Sequence, residues 1–295
     1  MLIRISIPIH RPVIHSTQRS KTLANPSQSQ NIRHSNRLED RVVAITGAGS
    51  GNGRASAFRT GREGASLYIS DINAELLEET LGDLKSEGIN ASGGVFDAAN
   101  IQDAPRFISG ITEAYGRLDV LVNNAGAVKV EPFPEVSEEN WDWTMNLNLK
   151  GAFFIMQEAA KPMMEQRSGN IVNIASIAGT FGGPTSSPPY AAAKAGLVNL
   201  TTVAAASLAQ YGVRVNAIAP GIINTPFHAP VDLEIGQKQL GLDPGDHIHT
   251  RVDLIPLGRL GEPEDVAATV AFLASDDADH ISGETITVAG AMRSL

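Results

Sequence analysis

The sequence predicts an α/β fold in which helices cover both faces of a doubly wound parallel sheet. Two observations lead to this prediction. Short apolar, β-branched runs recur along the chain, as expected for strands buried on both faces. Helical stretches separate these runs, which is the pattern of successive βαβ units. Right-handed crossovers then place helices on both sides of one sheet.

A glycine-rich turn follows the first predicted strand, VVAIT at 42–46. The turn reads TGAGSGNG (46–53) and leads directly into a helical stretch. Glycine lets the backbone approach a pyrophosphate closely, and free N–H groups at a helix N-terminus can receive it. Such a turn can also be purely structural, but its place between strand and helix favours dinucleotide binding.

The second predicted strand, ASLYIS (65–70), ends just before Asp71, 20 residues after Gly51. A carboxylate here can accept hydrogen bonds from the adenosine ribose, and it would repel the 2′-phosphate of NADP. Ile72 and Asn73 bring no compensating cation, so the sequence favours NAD. Asp71 could instead cap the amphipathic helix predicted over 73–88, which is the structural alternative.

The third and fourth strands also end in polar residues. FDAAN (96–100) places Asp97 to meet the adenine ring, and NNAG (123–126) closes the fourth strand. Open α/β sheets bind ligands at the carboxyl ends of their strands. Turn formation is the alternative explanation, because Asn and Gly both favour turns.

Long helices are predicted at about 137–165 and 189–211, and the second begins with YAAAK (190–194). A spacing of four residues places Tyr190 and Lys194 on one helix face. Hydride transfer to a carbonyl leaves an alkoxide that needs a proton, and a nearby lysine would lower the tyrosine pKa from about 10. Alone, the pair is equally compatible with an ordinary helix carrying a solvated lysine.

Composition limits the other function classes. The chain has 295 residues and a net charge of -9, and its acidic body argues against a nucleic-acid partner. The absence of cysteine excludes disulfides, thiol nucleophiles and cysteine-ligated zinc. No apolar run approaches the roughly 20 residues that span a bilayer, so we expect no membrane partner.

Residues 1–38 differ from the predicted single domain at 39–295, because they contain six Lys or Arg and no acidic residue. This composition resembles an organelle transit peptide. Pro8 and Pro12 would interrupt the amphipathic helix that such a signal needs. A disordered tail or an upstream start codon is therefore favoured, and we expect a cytoplasmic protein, with organelle targeting as the alternative.

From about Asp40 to its C-terminus the chain resembles the short-chain dehydrogenase/reductase family. The segments above carry this likeness together with NLNLKG (146–151), IVNIASIAG (171–179), RVNAIAPGIINTP (214–226) and PLGRLGEPEDVA (256–267). The resemblance implies a Rossmann-type fold and an NAD(H)-dependent oxidoreductase that interconverts a secondary alcohol and a ketone. It also implies a homo-oligomer, either a dimer or a tetramer.

The resemblance assigns catalytic roles to Asn148, Ser176, Tyr190 and Lys194. It implies that Tyr190 is the general acid/base and that Ser176 orients the substrate oxygen. Lys194 would bond the nicotinamide ribose, and Asn148 would bind the water that links this lysine to solvent. Tyr190 and Lys194 are also expected to bind the cofactor. The other expected cofactor-binding residues are Gly47, Gly51, Asn52, Gly53, Asp71, Ile72, Asp97, Ala98, Asn124, Ala125, Gly126, Pro220, Gly221, Ile223 and Thr225.

The chain departs from the family pattern at three places. Asn52 stands where the family usually has an apolar residue. Ser176 and Tyr190 are 14 residues apart, where the family commonly has 13, so the loop between them is one residue longer. The end reads TITVAGAMRSL, where the family often has V-D-G-G.

A substrate lid is expected between Phe227 and Ile255, because relatives cover their substrate there. Its charges are mixed and give no substrate signature: His228, Lys238, Asp243, Asp246, His247, His249 and Arg251. His247 and His249 do not suggest a metal site, since residues two apart do not share a helix face. Phe181 and Phe227 suggest a small or medium substrate with apolar surface.

Two other functions remain open from the sequence. One is a 3-oxoacyl thioester reductase of the same family. The other, of a different class, is a nucleotide-sensing or scaffold protein without catalysis.

Overall fold

The computed structural model describes residues 36–181 and 187–292. Over these residues, seven parallel strands form one sheet in the order β3-β2-β1-β4-β5-β6-β7, which confirms the predicted α/β, Rossmann-type architecture. The strand order reverses between β1 and β4, and open sheets bind ligands at such a crossing point. The strands are Val42–Thr46 (β1), Ser66–Asp71 (β2), Ala91–Val95 (β3), Val120–Asn123 (β4), Gly169–Ile174 (β5), Val213–Pro220 (β6) and Thr285–Val288 (β7).

Helices cover both faces of this sheet. On one face α1, α2 and α10 enclose one apolar core, and on the other α3, α5 and α7 enclose a second. The helices are Gly51–Arg62 (α1), Ala74–Ser86 (α2), Ala104–Tyr115 (α3), Glu138–Met145 (α4), Ala152–Gln166 (α5), Ile177–Thr180 (α6), Pro188–Leu208 (α7), Ala229–Val231 (α8), Asp246–Thr250 (α9) and Pro263–Ala274 (α10).

Strand β1 shows why the strands read as apolar runs. Val43 and Ile45 belong to the first core, whereas Val42 and Ala44 belong to the second. Successive side chains of a strand point to opposite faces, so a strand covered on both faces needs an apolar residue at every position. All five residues of β1 are buried.

The helix predicted over 137–165 is interrupted. A π-helical segment, Asn146–Gly151, separates α4 from α5. At its end a side chain on Gly151 would overlap the carbonyl oxygen of Ala98, so the backbone can pass here only at glycine. The segment carries Asn148, and π-helical turns occur frequently at functional sites.

The packed body begins before residue 39. Leu38 is completely buried, and its N–H donates to the carbonyl oxygen of Glu63 at 2.9 Å. The Arg37 guanidinium donates to the Glu63 carboxylate, also at 2.9 Å. The sequence-based boundary leaves both residues in the extension, whose first 35 residues lie outside the described part of the chain.

The stretch Pro188–Tyr211 is long and apolar enough to cross a membrane, by length and composition alone. It consists of α7 and the short turn after it. Ala193, Leu197 and Ala205 are buried on one face of this helix, which packs against β6 and α5. Core helices of globular domains have the same character, so this helix does not by itself indicate a membrane protein.

Candidate active site

A cleft of about 960 Å³ opens at the carboxyl edge of the sheet. It is lined by the ends of β1, β2, β4, β5 and β6, by α7, and by parts of the segment 227–255. All the site residues predicted from the sequence line this cleft, except Gly53 and Asn148. The structure therefore brings together side chains that are up to 178 positions apart, from Gly47 to Thr225.

The glycine-rich turn forms the floor at one end of the cleft. Gly47 and Gly51 adopt φ values of +65° and +51°, in the left-handed region that favours glycine. Gly53 lies beneath the turn, where a Cβ would overlap the carbonyl oxygen of Gly47. The first turn of α1 therefore packs directly against the backbone of the preceding loop, leaving its N–H groups beside the cleft.

Thr46 holds this turn to the end of β4, a role that the sequence analysis does not identify. Its buried hydroxyl accepts hydrogen bonds from the backbone N–H groups of Asn124 and Ala125, each at 3.0 Å. In return, the Asn124 side-chain amide donates to the carbonyl oxygen of Gly47 at 3.0 Å. The sequence signal that could have indicated this role is a threonine at the end of an otherwise apolar strand.

Asp71 is fixed beside the turn by two backbone groups. Its carboxylate accepts hydrogen bonds from Gly49 N–H and Asn73 N–H, both at 2.9 Å. Asn73, rather than Asp71, caps α2 by accepting a hydrogen bond from Leu76 N–H at 3.1 Å. The helix-cap alternative for Asp71 is therefore wrong, and its carboxylate faces the cleft.

Lys194 lies under the opposite end of the cleft. Its side chain is almost fully buried, and Nζ donates to the carbonyl oxygen of Ile174 at 2.9 Å. Burial lowers the pKa of this ammonium group to about 8, because the charged form has lost its hydration. The nitrogen lies 5.6 Å from the centre of the Tyr190 ring.

The Tyr190 hydroxyl has the opposite shift. Burial raises the pKa of this phenol above its ordinary value, and a hydrogen bond with the Ser176 side chain opposes that rise. The expected lowering of the tyrosine pKa by Lys194 is not found, because the ammonium group is directed at Ile174 instead. Ser176 also accepts a hydrogen bond from Ala178 N–H at 3.1 Å, so it caps α6 as well.

Asn148 lies near Lys194 but does not line the cleft. Its amide group donates to the carbonyl oxygens of Ala127 and Thr144, at 2.9 and 3.1 Å. Its own Oδ1 is buried and has no hydrogen-bond partner among the residues that the structure describes. A Cβ placed on Gly126 would lie 2.7 Å from Oδ1 and 3.3 Å from Lys194 Nζ, so both polar atoms point to one place.

These residues fit a dinucleotide. The Asn52 Oδ1, like that of Asn148, is buried without a partner among the described residues, and Asn52 lines the cleft. A buried unsatisfied acceptor costs about 1–3 kcal/mol, so its position favours a bound donor. The turn, Asp71 and the tyrosine–lysine pair then lie along one cleft, as a cofactor that spans β1 and β4 requires.

A family model described as short chain dehydrogenase matches residues 41–235. The chain belongs to the short-chain dehydrogenase/reductase family. It is therefore an oxidoreductase of the kind that acts on CH–OH or keto groups with a nicotinamide cofactor.

This chain matches curated relatives over nearly the whole length of each relative. Subunit BbsD of (2S)-((R)-hydroxy(phenyl)methyl)succinyl-CoA dehydrogenase from Thauera aromatica is 38% identical over 253 residues, covering 86% of this chain and 96% of the relative. The 3-oxoacyl-(acyl-carrier-protein) reductase FabG of Thermotoga maritima is 36% identical over 256 residues, covering 87% and 99%. Levodione reductase of Leifsonia aquatica is 39% identical over 263 residues, covering 86% and 94%.

Of two similar solved structures, one contains NADPH and the other contains NAD⁺. An actinorhodin polyketide ketoreductase crystallised with NADPH is 32% identical, with a TM-score of 0.81 over 85% of this chain and 97% of its own. A xylitol dehydrogenase bound to NAD⁺ is 29% identical, with a TM-score of 0.80 over 86% and 99%. Structural similarity to family members therefore does not decide between NAD and NADP.

The substrate end of this family member's cleft has apolar walls. Phe181 and Phe227 line it, as expected from the sequence, together with Trp143 and Met292. The Phe227 ring lies against Tyr190, with 5.6 Å between the ring centres. The longer loop before Tyr190 has its residues 182–186 outside the described part of the chain.

The charged and titratable residues of segment 227–255 look mixed in the sequence, but in the structure some line the cleft and the others are exposed. Three basic residues line the cleft: His228, His247 and Arg251. The remaining charged or titratable candidates are exposed and do not line it: Lys238, Asp243, Asp246 and His249. Within the described residues, no group of three or more His, Cys, Asp or Glu is placed to hold a metal ion.

Proposed function

We propose that this protein is an NAD(H)-dependent oxidoreductase that interconverts a small secondary alcohol and a ketone by direct hydride transfer. The observation that supports this proposal is the convergence of Ser176, Tyr190 and Lys194 in the cleft that also contains the glycine turn and Asp71. When bound there, the nicotinamide would supply or accept the hydride. The protein's own residues would hold the substrate oxygen and manage its proton.

Tyr190 would act as the general acid in ketone reduction. A raised pKa keeps the phenol protonated at neutral pH, so it can donate its proton to the alkoxide that forms. Ser176, already hydrogen-bonded to this tyrosine, would orient the substrate oxygen toward it. In alcohol oxidation the proton of the substrate hydroxyl would pass back to the deprotonated Tyr190 oxygen.

The preference for NAD over NADP rests on Asp71. Gly49 and Asn73 hold its carboxylate at the cleft through their N–H groups. A fixed carboxylate suits the ribose hydroxyls of NAD and repels a 2′-phosphate. Asn73, the next polar residue, is neutral and is engaged as the α2 cap.

The decisive experiment compares Tyr190→Phe with a control, Tyr211→Phe. We expect the Tyr190 variant to bind NADH normally, measured by fluorescence titration, but to lose 10²-fold to 10⁴-fold or more of its turnover, on the order typical of general acid–base catalysis. Turnover would be followed by NADH absorbance on polyols, cyclic alcohols, hydroxysteroids and 3-hydroxyacyl compounds. Full activity in the Tyr190 variant would contradict the proposal. Tight NADH binding without turnover of any compound by the unmodified protein would instead favour the nucleotide-sensing alternative.

A 3-oxoacyl thioester reductase is the second candidate. Its support is the 36% identity to the Thermotoga maritima 3-oxoacyl-(acyl-carrier-protein) reductase over 256 residues. A comparison of 3-oxoacyl thioesters with simple ketones, each with NADH and NADPH, distinguishes the two functions. Higher kcat/KM on thioesters with NADPH would favour this candidate over the first.

We also propose that the protein assembles into a dimer or tetramer. Large apolar side chains remain exposed on α4, on α7 and just before α4, where Trp141 is 43%, Val203 53% and Phe133 81% exposed. Apolar patches of this kind mark contact surfaces between proteins. A monomer mass in light scattering would remove the proposal.

A further inference from the structure

A buried chain of hydrogen bonds links the elements that carry the candidate catalytic residues. We propose that Asn173, with Asn123 and Thr201, is a positioning residue that sets where α7 lies relative to the rest of the site. None of the three lines the cleft, so they would act through Tyr190 and Lys194 on α7. This inference names residues that support the same reaction, and it therefore rests on the proposed function.

The first half of the chain connects the middle of the sheet to the start of α5. Asn123 and Asn173 are paired residues of β4 and β5. The Asn123 side-chain amide donates to the Asn173 side-chain oxygen at 3.2 Å and to the carbonyl oxygen of Ala152 at 2.8 Å. Ala152 is the first residue of α5 and directly follows the π-helical segment that carries Asn148. The chain thus ties β5 to the end of that segment.

The second half of the chain connects β5 to the buried face of α7. The Asn173 side-chain amide donates to the Thr201 hydroxyl at 3.0 Å, and this hydroxyl donates to the carbonyl oxygen of Leu197 at 2.8 Å. Lys194, Leu197 and Thr201 are all buried. Because helix residues four and seven positions apart share a face, Thr201 lies about two turns from Lys194 on the face that also carries Tyr190.

Strand β5 therefore contacts α7 at several levels. Asn173 is followed directly by Ile174, whose carbonyl oxygen accepts a hydrogen bond from the Lys194 ammonium group at 2.9 Å. Just beyond the strand, the Ser176 side chain is hydrogen-bonded to Tyr190. A shift of α7 along β5 would change both catalytic contacts at once. Directed hydrogen bonds can prevent such a shift, whereas apolar contacts are non-directional.

The chain is buried and its polar atoms have partners. Asn173 and Thr201 are completely buried, and Asn123 is 3% exposed. Within the described part of the chain, none of these side chains has a buried polar atom without a hydrogen-bond partner. The neighbours of Asn173 in β5, Val172 and Ile174, are buried and apolar. A satisfied polar network in such surroundings fixes one arrangement of the core, because displacement would leave a buried group without a partner.

Asn216 provides a matched control. It is also an asparagine that is completely buried in a strand, β6. Its side-chain amide donates to the carbonyl oxygen of Ile281 at 2.7 Å, and its side-chain oxygen accepts from Glu284 N–H at 3.1 Å. Both partners lie just before β7, and neither belongs to α7 or to the π-helical segment. Replacing Asn216 therefore removes similar hydrogen bonds without releasing α7.

The first test measures ketone reduction by Asn173→Leu, Thr201→Val and the control Asn216→Leu. We expect kcat to fall about 10-fold to 100-fold in the first two while KM changes less than about 3-fold, because a misplacement of about 1 Å can cost this much. Asn216→Leu should lower the urea midpoint comparably but leave kcat within about 3-fold of the unmodified protein. Thr201→Ser, which keeps the hydroxyl, should retain most of the activity. Deuterated NADH should give a larger isotope effect in the two slow variants, because hydride transfer becomes the limiting step.

Amide hydrogen exchange tests the same inference without turnover. In Thr201→Val we expect faster exchange over residues 188–201 than over β6, because α7 has lost its tie to β5. Asn216→Leu should instead loosen β6 and leave residues 188–201 protected. An equal rise in exchange over the whole domain would indicate general destabilisation and would overturn the inference. If Asn173→Leu does not fold, the pair Thr201→Val and Thr201→Ser carries both tests.

The outcomes separate this inference from the proposed function. Unchanged kcat and unchanged exchange over α7 in Thr201→Val, or an equal loss of kcat in Asn216→Leu, overturn the positioning role and leave the oxidoreductase function intact. Selective loosening of α7 in a protein that turns over no alcohol or ketone supports the role of the chain in placing α7 and overturns the function.

Discussion

The glycine-turn end of the cleft and the lid are held in place by different kinds of contact. At the turn, backbone packs on backbone, as where α1 meets the Gly47 carbonyl at Gly53 and where Thr46 binds two N–H groups of the next strand end. The lid is built from short helical segments that one carboxylate, Asp232, ties together. At Gly53 the first region has no room for a Cβ because two backbone segments meet there, whereas in the second region the polar contacts of Asp232 join the segments.

Substrate specificity can therefore vary at one end of the cleft while the fold and the nucleotide turn stay the same. NAD and NADP share the pyrophosphate that such a turn binds, so the turn can be rigid and made of backbone. The substrate differs between relatives, and loops on a rigid scaffold are where such differences are accommodated. In this protein the lid adds His228, His247 and Arg251 to the lining of the cleft.

The largest effect is expected at Gly53. In Gly53→Ala the new Cβ would overlap the Gly47 carbonyl oxygen and crowd the Asn124 side-chain amide. We expect NADH affinity to fall at least about 100-fold, or the domain to unfold, because neither backbone can move freely. Gly82→Ala in α2 is the control, since nothing lies within 4 Å of its added Cβ. It should stabilise the protein by about 0.5–1 kcal/mol in urea titration. Normal NADH binding by Gly53→Ala would refute the backbone-packing account.

Lys194→Met should separate catalysis from stability. We expect kcat to fall about 10²-fold to 10⁴-fold, as for other groups that assist proton transfer. The urea midpoint at pH 7 should be at or above that of the unmodified protein, because burial of the charged ammonium disfavours the folded state there. Lys161→Met, at an exposed position, is the control for loss of a lysine.

The pH dependence gives an independent check on Lys194. Its pKa is about 8 in the folded protein against an ordinary 10.5, so between these values the unfolded chain binds more protons than the folded one. The contribution of Lys194 to stability therefore rises with pH through this window. Urea titrations at pH 7 and pH 10 should show the difference between the protein and Lys194→Met shrinking. A constant difference would contradict a lowered lysine pKa.

A smaller effect is expected at Asp71. Asp71→Ser removes the charge that would repel the 2′-phosphate, so the ratio of kcat/KM with NADH to that with NADPH should fall about 10-fold to 100-fold. Asp142→Ser, on the exposed surface of α4, should leave the ratio unchanged. Tighter binding of NADPH than NADH by the unmodified protein would reverse the cofactor assignment.

The smallest effect is expected in the lid. Asp232→Asn keeps one acceptor oxygen but weakens the bonds to the N–H groups of Gly245 and His247, each worth about 1 kcal/mol. We expect a several-fold rise in substrate KM, faster amide exchange over residues 233–250, and an unchanged Kd for NADH. Glu234→Gln, which affects a surface pair with Lys238, is the control. A loss of NADH affinity in Asp232→Asn would mean that the two ends of the cleft are not independent.

Much of the glycine-turn end was predictable from local sequence. Strands buried on both faces must be apolar throughout, and a turn with positive φ must be glycine, so both leave a direct trace in neighbouring letters. Asp71 followed from its place at the end of a strand, although its choice between cofactor contact and helix cap did not. That choice depended on Asn73, whose side chain takes the cap in the folded chain.

The apolar strands, the nucleotide turn and the pairing of Tyr190 with Lys194 on one helix face were predictable from the sequence, because each leaves a pattern among neighbouring residues. The long-range partners of those side chains depend on how the elements pack, so the folded protein was needed to identify them. It directed Lys194 to Ile174, interrupted the helix at Asn148, and buried Leu38 in the body. It also placed His247 and Arg251 inside the cleft while leaving His249 outside, since burial depends on what packs against each helix face.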